Sequence, residues 1–306
     1  YRKRQQAMEN VINLDTVDKY NEFFGLETIH PLVSVVDLSG ATKSPHRFTF
    51  NYGVYALFLK QTLCGDLHYG RQSYDYQEGT VTSFAPGQVV SVNMEEGHRP
   101  AALGLVFHPD IIRGTSLGRD IRRYSFFSYA SNEALHLSEE EKFIFTDCLQ
   151  KIRMELLRPV DKHSKRLISR NIELLLDYCM RFYERQFITR ASVNRDILVR
   201  FEELLDEYYA EGAPRREGLP TVKYFADKVF LSPNYFGDLI KRETGRTAQE
   251  HIRNKIMEMA KELIAGTAKP VSTIAYELGF QYSQHFNRLF KKSAGYTPTE
   301  YRRLQN

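Results

Sequence analysis

Cysteine is scarce in this chain of 306 residues, with only Cys64, Cys148 and Cys179, no two at metal-ligand or disulfide spacing. Such isolation excludes a disulfide-stapled scaffold and reads as ordinary buried thiols of a reducing compartment. Long apolar runs are also missing: none reaches 18 residues, and no signal-peptide pattern opens the chain. A membrane-spanning segment and a membrane partner are therefore not expected, and the chain reads as cytoplasmic. It begins at Tyr1 rather than Met, which leaves open whether natural residues precede it. Between Leu32 and His108 the histidines stand far apart, at His46, His68, His98 and His108, without the clustered His and Glu that a metal site on adjacent strands needs. No metal, cofactor or catalytic constellation is expected, and the chain does not read as an enzyme.

What the chain has is a repeat. Asn234 to Glu250 reads NYFGDLIKRETGRTAQE, and Gln284 to Glu300 reads QHFNRLFKKSAGYTPTE. Phe236, Leu239, Lys241, Gly245, Thr247 and Glu250 recur as Phe286, Leu289, Lys291, Gly295, Thr297 and Glu300. The i, i+3, i+4 spacing of the apolar members predicts a helix with one buried face, a basic end and a Gly stop in each copy.

The residues ahead of each copy predict a second, shorter helix. Val271 to Leu278 places Ile274, Ala275 and Leu278 on one face and closes at Gly279. A small residue followed four positions on by a Gly suits a tight helix-helix corner, so a helix-turn-helix is expected. Before the first copy, Val222 to Val229 contains Ala226, and Ser232-Pro233 supplies an N-cap and a Pro at the first helical position. Phe230 stands where the turn Gly would fall. Thr247 to Ile264 between the units reads as one helix, with a Thr247/Glu250 capping box and an apolar face of Ile252, Ile256, Met259, Ala260, Leu263 and Ile264. At about 1.5 Å per residue it spans roughly 27 Å, near the roughly 34 Å between successive major-groove faces of B-DNA, and bending of the duplex would absorb the difference.

Charge follows the same division. Residues 219–306 hold 14 Lys and Arg against 8 Asp and Glu, while the remainder holds 28 against 30. A basic module attached to a slightly acidic one suits phosphate binding by the C-terminal part alone.

These residues carry a resemblance. VSTIAYELGF followed by SQHFNRLFKKSAGYTPTEYRR, with FADKVFLSPNYFGDLIKRETG before it, is similar to the AraC/XylS family of bacterial transcription regulators, over residues 219–306. Ala248 departs from the family's usual Pro, Lys255 from its common Arg, and Tyr282 occupies the second unit's usual capping position, with Ser283 as the alternative cap. Absence of paired cysteines argues against a metal-dependent alkyl-acceptor version of this module. The resemblance implies double-stranded DNA as partner, with RNA polymerase as a further candidate. Base readout is expected at exposed positions early in the repeated helices: Asn234 and Asp238 in the first; Ser283, Gln284, His285, Asn287 and Arg288 in the second. Ser232, Lys241, Arg242, Lys291 and Lys292 are expected to hold phosphates.

The remaining residues suffice for a sensing domain. Short β-rich runs between Leu32 and His108 (LVSVVDL, VYALFLKQT, TVTSFA, QVVSV, ALGLVF) are separated by turns at Gly53, Gly65, Gly70, Gly79, Pro86-Gly87 and Gly97, indicating a sandwich or barrel. The family resemblance, weaker here, implies a cupin-like jelly roll that takes a small-molecule effector. Tyr55, Phe58, His68, Tyr69, Tyr74 and Tyr76 either line an aromatic pocket or pack as core, with core packing the better explanation. Ser138 and Glu141 cap a helix to Leu157, and Pro159 precedes a longer one from about Asp161 to Phe187 with Leu167, Ile168, Ile172, Leu175, Leu176 and Cys179 on its apolar side. Such helices either pair two subunits or cover their own barrel. A helix from Arg195 to Tyr209 and a Gly/Pro-bearing stretch, Glu211 to Gly218, read as a linker and flexible hinge.

The expected fold is multidomain α+β: residues 1–137 a cupin-like effector domain, 138–190 a helical pair with a homodimerising role, 191–218 a linker, and 219–306 an all-α double helix-turn-helix joined by a long helix. The expected function is an effector-controlled, sequence-specific regulator of transcription. The alternative is a cupin-type sugar-binding or isomerase protein with an accessory helical domain.

Overall fold

The computed structural model describes residues 11–42, 47–61, 67–68, 79–93, 101–130 and 133–305. It divides into two compact units, residues 1–189 and 190–306. His46, Cys64, Tyr69, Tyr74, Tyr76, His98 and the turn glycines Gly65, Gly70 and Gly97 lie outside the described residues.

The first unit mixes strands and helices. Its elements are β1 (Val11–Leu14), α1 (Val17–Phe24), β2 (Val33–Asp37), β3 (Arg47–Tyr52), β4 (Tyr55–Lys60), β5 (Leu67–His68), β6 (Thr80–Phe84), β7 (Val89–Asn93), β8 (Ala102–Phe107), α2 (Pro109–Ile112), α3 (Ser116–Asp120), β9 (Leu135–His136), α4 (Glu139–Leu156) and α5 (Ser164–Thr189). The strands form two sheets, ordered β1-β3-β7-β5 and β2-β8-β4-β6-β9. The five β-rich runs of the sequence are β2, β4, β6, β7 and β8. β1, α1 and β3 fall outside those runs, because Val17–Phe24 is short and Arg47–Tyr52 mixes aromatic with polar residues.

Large rings fill the shared core of the two sheets. Phe48, Phe50 and Tyr52 of β3 are buried together with Phe58 of β4 and Phe84 of β6. Tyr52 stacks on Phe84 at 4.9 Å between ring centroids, and Tyr20 of α1 stacks on Phe58 at 5.9 Å. Such contacts each add about 0.5–1.5 kcal/mol beyond area burial. Tyr55 is half-buried and stacks on Phe107 at 5.0 Å, so Tyr55 and Phe58, the members of the candidate aromatic pocket whose side chains are described, are packing residues.

Ser138 and Glu141 form the expected capping box at the start of α4. Asp161 accepts hydrogen bonds from the N–H groups of His163 and Ser164 and so starts α5 three residues later than the sequence suggested. Ile168, Ile172, Leu175, Leu176 and Cys179 are buried as expected, but Leu167 is 45% exposed, one position off the covered face. Cys148 and Cys179 are buried free thiols, and burial pushes both up from the usual thiol range. The covered face of α5 packs within its own unit: Gln186 hydrogen-bonds across β9 to Ala134 O and His136 N, and Arg185 joins Glu141 at 2.6 Å to His136 O.

The second unit is all helix: α6 (Ala191–Ala210), α7 (Pro214–Glu217), α8 (Val222–Lys228), α9 (Pro233–Thr244), α10 (Ala248–Gly266), α11 (Val271–Glu277), α12 (Ser283–Ala294) and α13 (Pro298–Gln305). Phe201 of α6 is fully buried, its ring 5.1 Å from that of Phe225 in α8 and 5.2 Å from that of Phe236 in α9. α6 is therefore part of this core.

The stretch read as a flexible hinge is ordered. Gly212 and Gly218 take positive φ to fold Pro214–Glu217 into a helical turn, Ala213 is buried, and the Tyr208 hydroxyl donates to Gly218 O at 2.9 Å. Here Gly and Pro shape a tight connection, a use that composition cannot separate from slack.

Phe201→Ala should cost about 3–5 kcal/mol of the second unit's stability, the usual loss for a fully buried aromatic ring. Native-state hydrogen exchange at α8 and α9 amides measures it; a loss below about 1 kcal/mol would mean α6 lies outside this core.

Candidate nucleic-acid interface

Two units of the same design make up residues 222–295. In each, a short helix turns through a left-handed residue into a longer one. At the second turn Gly279 has φ +94°, and Gly279 N–H donates to Tyr276 O and Phe280 N–H to Ala275 O. At the first turn Phe230 N–H donates to Asp227 O and Leu231 N–H to Ala226 O, the same pair of bonds, three and five residues back. Phe230 accordingly takes φ +59°, the only described non-glycine residue with positive φ, and stays 71% exposed. Gly279 has a second reason to be glycine: a Cβ there would stand 2.7 Å from Gly218 C.

That contact joins the 211–218 segment to the second turn. Arg215 bonds to Glu277 at 2.7 Å and Lys269 to the same carboxylate at 2.9 Å. The Lys269 hydrogen bond and the two cations hold Glu277 below the usual carboxylate range.

The longer helices differ at their starts. Ser232 caps α9, its hydroxyl oxygen accepting from Tyr235 N–H. α12 starts after Tyr282, whose side chain makes no capping bond, and Ser283 is the first helical residue. Of the two positions the sequence offered, Tyr282 precedes the helix and Ser283 does not cap it, since the Tyr282 carbonyl accepts from His285 and Phe286 N–H and the helix has begun by Ser283. Both helices stop at left-handed glycines, Gly245 and Gly295. The following helices both open with capping boxes, Thr247/Glu250 and Thr297/Glu300, whose backbone hydrogen bonds lower both carboxyl pKa values.

α10 buries Ile252, Ile256, Met257, Ala260 and Ile264, so Met257 takes the place expected of Met259, and Leu263 is only half-buried. Lys255 pairs with Asp206 of α6. At the far end of α10, the Arg302 guanidinium donates to Ile264 O at 2.9 Å and Lys269 O at 2.7 Å.

Burial separates the faces of α9 and α12. Phe236, Leu239 and Ile240, and in α12 Phe286 and Phe290, point inward. About 100° per residue then places Asn234, Asp238 and Lys241 on one outward strip of α9, and Gln284, Arg288 and Lys291 on the matching strip of α12. Asn234, Lys241, Arg242, Gln284, His285, Asn287, Arg288, Lys291 and Lys292 are exposed, whereas Ser232, Asp238 and Ser283 are half-buried. Asp238 and Arg242 are already engaged within the protein, and the His285 ring packs edge-on to Tyr282 at 5.7 Å. Among the described residues Arg288, Lys291 and Lys292 have no carboxylate in ion-pair reach.

Sequence reasoning missed one grouping. Arg246, Arg253 and Asn254 line an open cleft of about 280 Å³ together with Lys292 of α12. Arg253 and Asn254 fall off the apolar face of α10, and nothing in the sequence alone brings them beside Lys292. The outward strips thus offer amide and guanidinium donors near the helix starts and cations near the ends, a set suited to base edges and phosphates respectively.

A helix-turn-helix domain family model matches residues 225–304. An uncharacterized HTH-type transcriptional regulator of Escherichia coli K12, YijO, is 26% identical over 230 residues, covering 74% of this chain and 76% of that protein. The arabinose operon regulatory protein of Salmonella typhimurium is 31% identical over 77 residues, about a quarter of either chain at 25% and 27%. Among solved structures, the C-terminal domain of the two-component response regulator yesN from Fusobacterium nucleatum is 30% identical, with 33% of this chain and 96% of that one covered at a TM-score of 0.30.

Phe230→Gly should stabilise the second unit by about 0.5–1 kcal/mol, because relief of a left-handed strain of about 1–2 kcal/mol outweighs the backbone entropy of glycine. Gly279→Ala should destabilise it by about 2 kcal/mol or more, adding a backbone clash to the same strain. Chemical denaturation of both variants checks the pair; equal and same-signed shifts would contradict the account of the two turns.

Proposed function

We propose that this chain, whose residues 225–304 are an AraC-type helix-turn-helix domain, is a DNA-binding regulator of transcription that reads its site unequally with its two units. One observation carries the reading: matched outward strips on α9 and α12, alike in their basic ends and different at their starts. Arg288 suits guanine O6 and N7, while Gln284 and Asn287 suit adenine, with Ser283 and His285 beside them. Asn234 and the engaged Asp238 form a poorer set, so α12 supplies most of the sequence choice. Ser232, Lys241, Arg242, Lys291 and Lys292 hold phosphates, joined by Arg246 and Arg253 at the cleft beside Lys292.

The first unit is a cupin-like jelly roll and senses a small-molecule effector; two sheets closing on one aromatic core support that fold. Its chain pairs with a second copy, for which Phe143 and Met154 of α4 and Leu157 just after it, exposed at 74%, 59% and 63%, supply apolar surface. RNA polymerase is the further partner by which bound regulator would alter transcription. A cupin-type enzyme with an accessory helical domain would leave the unpaired cations of α12 without a role.

Arg288→Ala should cost roughly 1–3 kcal/mol on the cognate site and relax base choice, whereas Lys291→Ala should weaken cognate and random duplex alike and reduce the salt slope by about 1. Fluorescence anisotropy across a salt series on the chain's own promoter and on random duplex measures both. Equal loss from Arg288→Ala on the two duplexes would remove it from base readout, and weak, sequence-indifferent binding by the unaltered chain would overturn the function.

A further inference from the structure

Far from the DNA-reading helices in sequence, the first unit has an open cleft of about 460 Å³ where the α2–α3 connection faces the start of α5. Five cations line it, Arg113, Lys162, Lys165, Arg166 and Arg170, and no acidic residue does. Two are partly neutralised: Arg113 pairs with Asp110 at 2.8 Å and Arg170 with Glu173 at 2.7 Å. Lys165 donates to Arg113 O at 3.0 Å, which draws its ammonium across to the loop. Among the described residues, neither Lys162 nor Arg166 has a carboxylate in ion-pair reach. Asp161, the acidic group beside them in sequence, spends its carboxylate on the N–H groups of His163 and Ser164.

Folding does not ask for this arrangement. α5 runs 26 residues and has no acidic residue in its first turn, where the helix dipole favours anions and disfavours cations by about 0.3–1 kcal/mol each. Lys165 and Arg166 sit in that turn, Lys162 just ahead of it, and like charges crowd one concavity in which, among the described residues, Lys162 and Arg166 gain no carboxylate partner. A sequence that breaks a local rule without structural return marks a place kept for another purpose.

From this cleft we infer a binding site for a small, multiply charged phosphorylated molecule. Three guanidinium forks among the five cations match phosphate oxygens, in pairs of hydrogen bonds that a point charge cannot make. Its volume falls within the range of about 300–1,000 Å³ typical of small-molecule sites, and its concavity favours a compact ligand over an extended backbone. The site gives the effector proposed above a chemical class, yet its existence does not depend on DNA reading by the second unit.

Calorimetric titration of the full chain with inorganic pyrophosphate, in low salt and with random duplex DNA as a parallel titrant, tests it. One pyrophosphate per chain is expected, weakened at least tenfold in Lys162→Ala/Arg166→Ala. Both side chains are exposed, so the variant should keep the thermal midpoint of the unaltered chain. A control variant, Lys241→Ala/Lys291→Ala, should bind pyrophosphate as the unaltered chain does while losing duplex affinity. The proposal is overturned by three results: no pyrophosphate binding at millimolar concentration, binding unchanged in the cleft variant, or a loss confined to the control variant. It is equally overturned if the cleft variant loses only duplex binding, which would make the patch a contact for nucleic-acid backbone. Failure of promoter recognition with pyrophosphate binding intact would strike the DNA reading alone.

Discussion

Both helix-turn-helix units rest on one backbone requirement: the residue two positions beyond the short helix must adopt positive φ so that the chain can turn and lay the longer helix against it. Gly279 meets it freely; Phe230 meets it under strain. From that turn follow the burial of Phe236 and Phe286, the direction of α9 and α12, and the presentation of their outward strips. In the second unit the same glycine also admits the carbonyl end of Gly218, so one missing Cβ fixes a turn and docks a connecting segment.

Much of the second unit was legible in the sequence because its signals are local. Repeat spacing gave α9 and α12, the Thr247/Glu250 pair gave the start of α10, and the glycines gave the stops. Phe230 in a glycine position pointed to its own backbone anomaly. Less legible was anything that depends on packing between segments far apart in sequence. α6 reads as a linker in sequence, yet its Phe201 packs between Phe225 and Phe236, and Met257 is buried in place of Met259 because the partner helices, not the period alone, select the covered face.

In the first unit, alternation revealed five strands but missed β3, whose Arg47, Thr49 and Asn51 break the apolar run, and β1, which pairs with it in parallel. The cationic cleft escaped sequence reading for a similar reason. Lys162, Lys165 and Arg166 look like a solvated helix start until the fold brings Arg113 beside them. Within the candidate interface, residue types and exposure were readable, but the engagement of Asp238 and the meeting of Arg253 with Lys292 belong to three-dimensional arrangement.

Arg302 links these observations to the order in which the second unit forms. It closes two carbonyls at and beyond the end of α10 from 38 and 33 residues further along the chain. Such separations carry a loop-closure cost that local capping does not, so contacts of this kind form late. Local capping thus secures the start of α10, whereas its far end draws a partner from α13. The far end of α10 is held by Arg302 of α13, so the spacing between α9 and α12 is a property of the completed fold, not of the linking helix by itself.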